Sequence, residues 1–155
     1  MTLYAIRPTP DTESLDDAEV VDQSRYGWEF LKQAITLWRL VDSGRADEIE
    51  AIKDRALLAA TDQELRLYAP DLHELVHLLT GVEEAIIRTG IVDQHWRVPA
   101  ERLEELARRV PAMDLTTERP LHSKTSALGE VMMNAVFLRN FLADALNAGC
   151  VVVLG

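Results

Sequence analysis

The sequence lacks a second cysteine, and no basic segment followed by an apolar one opens it. Its one cysteine, Cys150, cannot form a disulfide within the chain. This excludes the small secreted domains that disulfides hold together. Without the pattern of a secretory leader, we expect a cytoplasmic protein.

Long apolar runs are also missing. No stretch approaches the roughly 20 uninterrupted apolar residues that span a bilayer, so we expect no membrane association. Hydrophobic residues nevertheless make up 48% of the 155 residues, against 27% charged. That balance supports a packed core and excludes disorder over most of the chain. The length and the lack of internal repeats predict a single domain over residues 1–155.

Basic residues are too few to balance the acidic ones. The 16 Lys and Arg residues against 26 Asp and Glu residues give a formal charge of −10, which opposes direct binding to nucleic acid. The excess is densest between residues 11 and 22, where no Lys or Arg occurs. The acidic residues of this stretch are Asp11, Glu13, Asp16, Asp17, Glu19 and Asp22. We interpret it either as a solvated acidic loop at about 8–23 or as a docking surface for a basic partner.

Apolar periodicity predicts a mainly α (α+β) fold, a compact domain of five to six helices with short terminal strands that can pair with each other. Strands are predicted at 2–7 and 150–154. Helices are predicted at 24–42, 47–59, 72–90, 100–110 and 127–148, with a short helical turn near 61–68. Gly81 lies in the middle of the third of these helices and marks either a kink or a true end. Gly44 is expected to end the first helix, and the last helix is the central core element.

One motif carries possible chemistry. His73-Glu74-Leu75-Val76-His77 places two imidazoles four residues apart on a predicted helix, where they can share a zinc ion while the glutamate activates a bound water. This stretch resembles the active-site helix of the zincin metalloproteases. The resemblance implies metal binding by His73 and His77 and a catalytic base at Glu74. It also requires a third ligand, for which Glu104, its neighbours Glu101 and Glu105, or His95 are candidates.

Two observations oppose the zinc site. Zincins have a substrate-binding edge strand ahead of this helix, whereas the residues before His73 are predicted to be helical. Both histidines also fall at the border between the apolar stripe and solvent, where structural histidines are common. We therefore favour structural histidines, with no metal, no cofactor and no catalytic residue.

The favoured function is that of a non-enzymatic acidic interaction protein of bacterial type. Its composition is similar to that of immunity or antitoxin proteins, which block cationic toxin domains, and this predicts a basic protein partner. The predicted contacts are the six acidic residues of the 11–22 stretch together with Trp96, an aromatic residue beside Arg97 in a turn. Two alternatives stay open: a zinc-dependent hydrolase, and a regulatory module that holds a small ligand between helices.

Overall fold

The computed structural model describes residues 1–8, 18–58, 65–93, 97–109 and 127–155. It confirms a mainly α (α+β) fold with a small antiparallel sheet. In chain order the elements are β1 (Leu3–Arg7), β2 (Glu19–Ser24), α1 (Gly27–Val41), α2 (Ser43–Leu58), β3 (Arg66–Leu67), α3 (Ala69–Leu79), α4 (Val82–Arg88), a 3-10 turn (Ala100–Arg102), α5 (Leu103–Arg109), α6 (Ala127–Asn147) and β4 (Val151–Leu154).

The sheet has the order β2-β1-β4-β3, and each neighbouring pair is antiparallel. The predicted pairing of the two terminal strands is confirmed. Leu3 lies opposite Leu154, and Ala5 lies opposite Val152. Leu3, Ala5 and Val152 are buried in the same cluster as the helix residues, so one face of the sheet contributes to the core.

The core is built around α6, as predicted. This helix packs against α1 and α3, and Leu138 and Leu142 in its middle are at most 1% exposed. Burying one leucine side chain contributes about 1.5–3 kcal/mol, so this interface is a main source of stability. No helix in the described ranges is both long enough and apolar enough to cross a membrane.

An acidic loop is predicted at about 8–23, but this prediction is wrong for its last residues, because Glu19–Ser24 form strand β2. This strand pairs with β1 across an irregularity between Ala5 and Ile6. Its only two apolar residues, Val20 and Val21, are adjacent and do not alternate with polar ones. The hydrogen bonds of β1, rather than a pattern within β2, therefore fix its structure. Residues 9–17 of the expected loop lie outside the described residues.

Gly44 does not end the first helix, and the second helix begins earlier than predicted. Asp42 is the extended residue between α1 and α2. Its Oδ1 accepts hydrogen bonds from the backbone N–H groups of Gly44 at 3.1 Å and Arg45 at 3.4 Å. A carboxylate at this position satisfies N–H groups that lack partners within the helix. Helix α2 therefore begins at Ser43 rather than at Asp47.

The helical turn predicted near 61–68 is wrong where the structure describes it. Arg66 and Leu67 form β3 and pair with Val153 and Val152, while residues 59–64 lie outside the described ranges. The next predicted helix is two helices, because Gly81 adopts a left-handed backbone conformation with φ of 89°. Helix α3 ends at Leu79 and α4 begins at Val82.

Candidate functional site

The described part of the acidic stretch lies on β2. Glu19 and Asp22 are exposed. Glu19 Oε2 lies 3.0 Å from Arg7 Nη1 on the neighbouring strand, and Asp22 Oδ1 accepts the backbone N–H of Gln23 at 2.8 Å. The remaining predicted contact residues lie outside the described residues: Asp11, Glu13, Asp16, Asp17 and Trp96.

Strand β2 forms one edge of the sheet. Among the described strands it pairs only with β1, and its side chains from Glu19 to Gln23 are exposed. Val20 and Val21 are 52% and 42% exposed between the two carboxylates. An edge strand presents unpaired backbone groups to other chains, and acidic side chains on it disfavour pairing with an acidic chain. This edge combines apolar contact area with negative charge.

The HExxH motif lies on α3 with its apolar and polar residues on different faces. Leu72, Leu75, Leu78 and Leu79 are buried, whereas His73, Glu74 and His77 are exposed. Both histidines therefore present to solvent, one helical turn apart.

Glu74 takes part in a surface ion-pair group with α2. Arg55 Nη2 lies 2.8 Å from Asp71 Oδ1 and 3.9 Å from Glu74 Oε2. The hydrogen bond that the Arg55 guanidinium donates to Asp71, together with the attraction of both carboxylates, raises the pKa of Arg55. Glu74 is thus oriented towards a cation of the neighbouring helix α2.

Glu104, the candidate for the third zinc ligand, does not lie beside His73 and His77. Glu104 on α5 is exposed, and its Oε1 lies 3.4 Å from Arg108 Nη2 on the same helix. In the five described ranges, no three or more His, Cys, Asp or Glu side chains form a group that could hold a metal ion. His95 lies outside these ranges. The structure does not bring His73, His77 and Glu104 together.

One argument against the zincin resemblance is wrong. The residues directly before α3 are not helical, because β3 lies there at an edge of the sheet. This strand is only two residues long and pairs with β4. The lack of a strand before the motif therefore does not count against the resemblance. Within the described ranges, no third ligand accompanies His73 and His77.

A polar groove lies where the α1–α2 junction meets the α3–α4 turn. We call it the Trp38 groove, and its volume is about 260 Å³. Its lining residues are Trp38, Val41, Asp42, Arg45, Thr80, Gly81, Glu84, Ala85, Arg88 and Thr89.

Trp38 fixes the floor of this groove. Its Nε1–H donates to the backbone carbonyl of Leu78 at 2.9 Å, and the Arg45 guanidinium carbon lies 5.0 Å from the centroid of its ring. Such a distance is typical of a cation–π contact. Arg45 Nε also lies 3.6 Å from Asp42 Oδ2. The sequence analysis did not predict this groove, because its residues come from separate helices and turns.

Comparison with protein-family models, curated proteins and solved structures finds no match for this chain.

Proposed function

We propose that this protein is a non-enzymatic interaction protein that binds a basic protein partner through the edge strand β2. The observation that carries the proposal is the composition of this edge, where two exposed valines lie between two exposed carboxylates. A partner of the kind that immunity proteins neutralise, a cationic toxin domain, fits this surface.

The charge of the chain would act mainly on the rate of association. At −10 the protein attracts a cationic surface from a distance, and such steering raises association rates more than final affinity. The short-range contacts would come from the valines and the edge backbone. Because Glu19 is already paired with Arg7, a partner cation would compete with that arginine, while Asp22 offers a carboxylate whose only described contact is a backbone N–H.

The test is the salt dependence of association with a captured partner. The tagged full chain is used to isolate a binding protein in dilute buffer, and the association rate is then measured by surface plasmon resonance over a range of salt concentrations. At roughly 1 M salt the Debye length shrinks to about 3 Å, so we expect the rate to fall strongly. Equal rates in dilute buffer and at this salt concentration would remove the steering mechanism.

A matched pair of charge variants locates the surface. Glu19→Gln with Asp22→Asn removes two negative charges from β2. Glu48→Gln with Glu101→Gln removes two from exposed positions elsewhere, and neither Glu48 nor Glu101 forms an ion pair with another described residue. We expect the first variant to associate several-fold more slowly than the second. If both variants slow association equally, the partner does not contact β2.

A further inference from the structure

We infer that the Trp38 groove binds a small zwitterion, a molecule of the α-amino acid class that carries an ammonium and a carboxylate group close together. This inference is independent of the proposed interaction with a basic partner, because the groove involves no residue of β2.

The first argument is the charge pattern of α4. Glu84 and Arg88 are four positions apart in the sequence, a spacing at which opposite charges usually attract each other on a helix. Both nevertheless line the groove, and neither forms an ion pair within the part of the chain that the structure describes. Within the groove, α4 therefore offers one carboxylate and one guanidinium that have no described ion-pair partner, one turn apart. A ligand with both charges can satisfy both side chains.

The net charge of the lining supports the same class of ligand. Asp42 and Glu84 contribute two negative charges, and Arg45 and Arg88 contribute two positive ones. The groove is thus locally neutral on a protein whose formal charge is −10. A simple anion would meet two carboxylates and a simple cation would meet two guanidinium groups, so each is disfavoured relative to a molecule that carries both charges.

The hydroxyl groups of Thr80 and Thr89 can act only as hydrogen-bond acceptors for a ligand in the groove. Thr80 Oγ1 donates to the Val76 carbonyl at 2.7 Å, and Thr89 Oγ1 donates to the Ala85 carbonyl at 2.7 Å. Each hydroxyl proton is therefore used, and the oxygen lone pairs are left as acceptors. Together with the Glu84 carboxylate they suit an ammonium group, which has three donors and no acceptor.

The remaining donors suit a carboxylate. The indole N–H of Trp38 is already bonded to Leu78, so the side-chain donors of the groove are the guanidinium groups of Arg45 and Arg88. A guanidinium can bind a carboxylate through two parallel hydrogen bonds. Arg88 has no ion-pair partner among the described residues, while Arg45 is held by Asp42 and the Trp38 ring.

The volume and the apolar lining of the Trp38 groove restrict the size and shape of the ligand. A volume of about 260 Å³ lies below the range of roughly 300–1,000 Å³ typical of drug-sized sites, and so favours a compact molecule. Trp38, Val41 and Ala85 supply an apolar part on which a small side chain can rest. A free amino acid fits these limits, whereas a nucleotide or a long peptide does not.

The experiment titrates the full-length ¹⁵N-labelled chain with a panel of free L-amino acids and records amide chemical shifts. The concentration rises to about 10 mM, above the millimolar Kd that corresponds to about −4 kcal/mol. We expect at least one member to bind, with shifts concentrated around Trp38, Gly81 and α4. If no member shifts these amides, or if the shifts lie elsewhere, the inference is overturned.

Two derivatives of the best ligand test the need for both charges. The N-acetyl derivative lacks the ammonium, and the amide lacks the carboxylate. We expect each to bind at least about tenfold more weakly, because each leaves one charged side chain without its partner. Equal binding of either derivative, or equally tight binding of inorganic phosphate, would refute a zwitterion site.

Variants on α4 provide the matched control. Glu84→Gln and Arg88→Gln each remove one proposed contact, and we expect each to lower the affinity about tenfold. Glu83→Gln makes the same chemical change at the adjacent exposed position, outside the groove lining, and should bind like the unmodified protein. If all three variants bind equally, the contacts are assigned wrongly and the inference fails.

Discussion

Replacing Trp38 by phenylalanine removes one buried hydrogen bond and part of one ring. Trp38 is 3% exposed, and its Nε1–H donates to the Leu78 carbonyl at 2.9 Å. Leu78 lies in the last turn of α3, where carbonyl groups have no donor within the helix. A side chain of α1 therefore satisfies the end of α3, and phenylalanine cannot do so.

The expected loss is the sum of two effects. A buried carbonyl left without a donor costs about 1–3 kcal/mol. The smaller ring buries less apolar surface and leaves a small cavity, which costs about 1 kcal/mol. We therefore expect Trp38→Phe to lower the free energy of unfolding by about 2–4 kcal/mol. For a chain of this length that corresponds to a fall in Tm of roughly 4–16 °C.

The assay is urea unfolding followed by far-ultraviolet circular dichroism, with Trp28→Phe as the control. Trp28 is also buried, at 6% exposure, but its indole makes no hydrogen bond to another described residue. It should lose only the packing contribution of about 1 kcal/mol. If the two variants lose equal stability with unchanged denaturant slopes, the bond to Leu78 does not stabilise the fold and the reasoning is wrong.

Two further predictions concern the start of α2 and the histidine pair. Asp42→Ala removes the acceptor for the Gly44 and Arg45 N–H groups and should lower the free energy of unfolding by about 1 kcal/mol. Asp42→Asn keeps a side-chain oxygen and should retain most of that stability, so an equal loss in both variants would contradict a capping role. Protein purified from zinc-replete medium should contain far less than one zinc per chain by elemental mass spectrometry. One equivalent of zinc that disappears in His77→Ala would instead support the hydrolase alternative.

The long helices were predictable because their pattern is local. In α1 and α6 the buried residues recur at steps of three and four, and each helix buries one broad face in the core. Leu31, Ile35 and Trp38 illustrate this in α1. The terminal strands were also predictable, because short β-prone segments bounded by proline or glycine have few other stable conformations.

The short strands and the groove were not predictable for the opposite reason. Strands β2 and β3 obtain their hydrogen bonds from β1 and β4, and no periodicity within two to six residues reveals such partners. The Trp38 groove combines residues from Trp38 to Thr89, which lie on three helices and in three connecting segments. The helical periodicity of α3 placed His73 and His77 at the border of the apolar stripe, close to the exposed face on which they lie. The distance of Glu104 from these histidines depends instead on how α5 packs against the other helices, which the sequence does not reveal.

The strand order also has a consequence for biosynthesis. Strand β1 is translated first, but its neighbour β4 leaves the ribosome only after every described helix has been made, and the pairing joins Leu3 to Leu154. Contacts between such distant parts of a chain slow folding. Until β4 arrives, β1 has one open edge, and its residues Leu3 and Ala5 lack the strand partners Leu154 and Val152. The sheet can therefore be completed only after α6 has been made, and we expect its assembly to be a late step in folding.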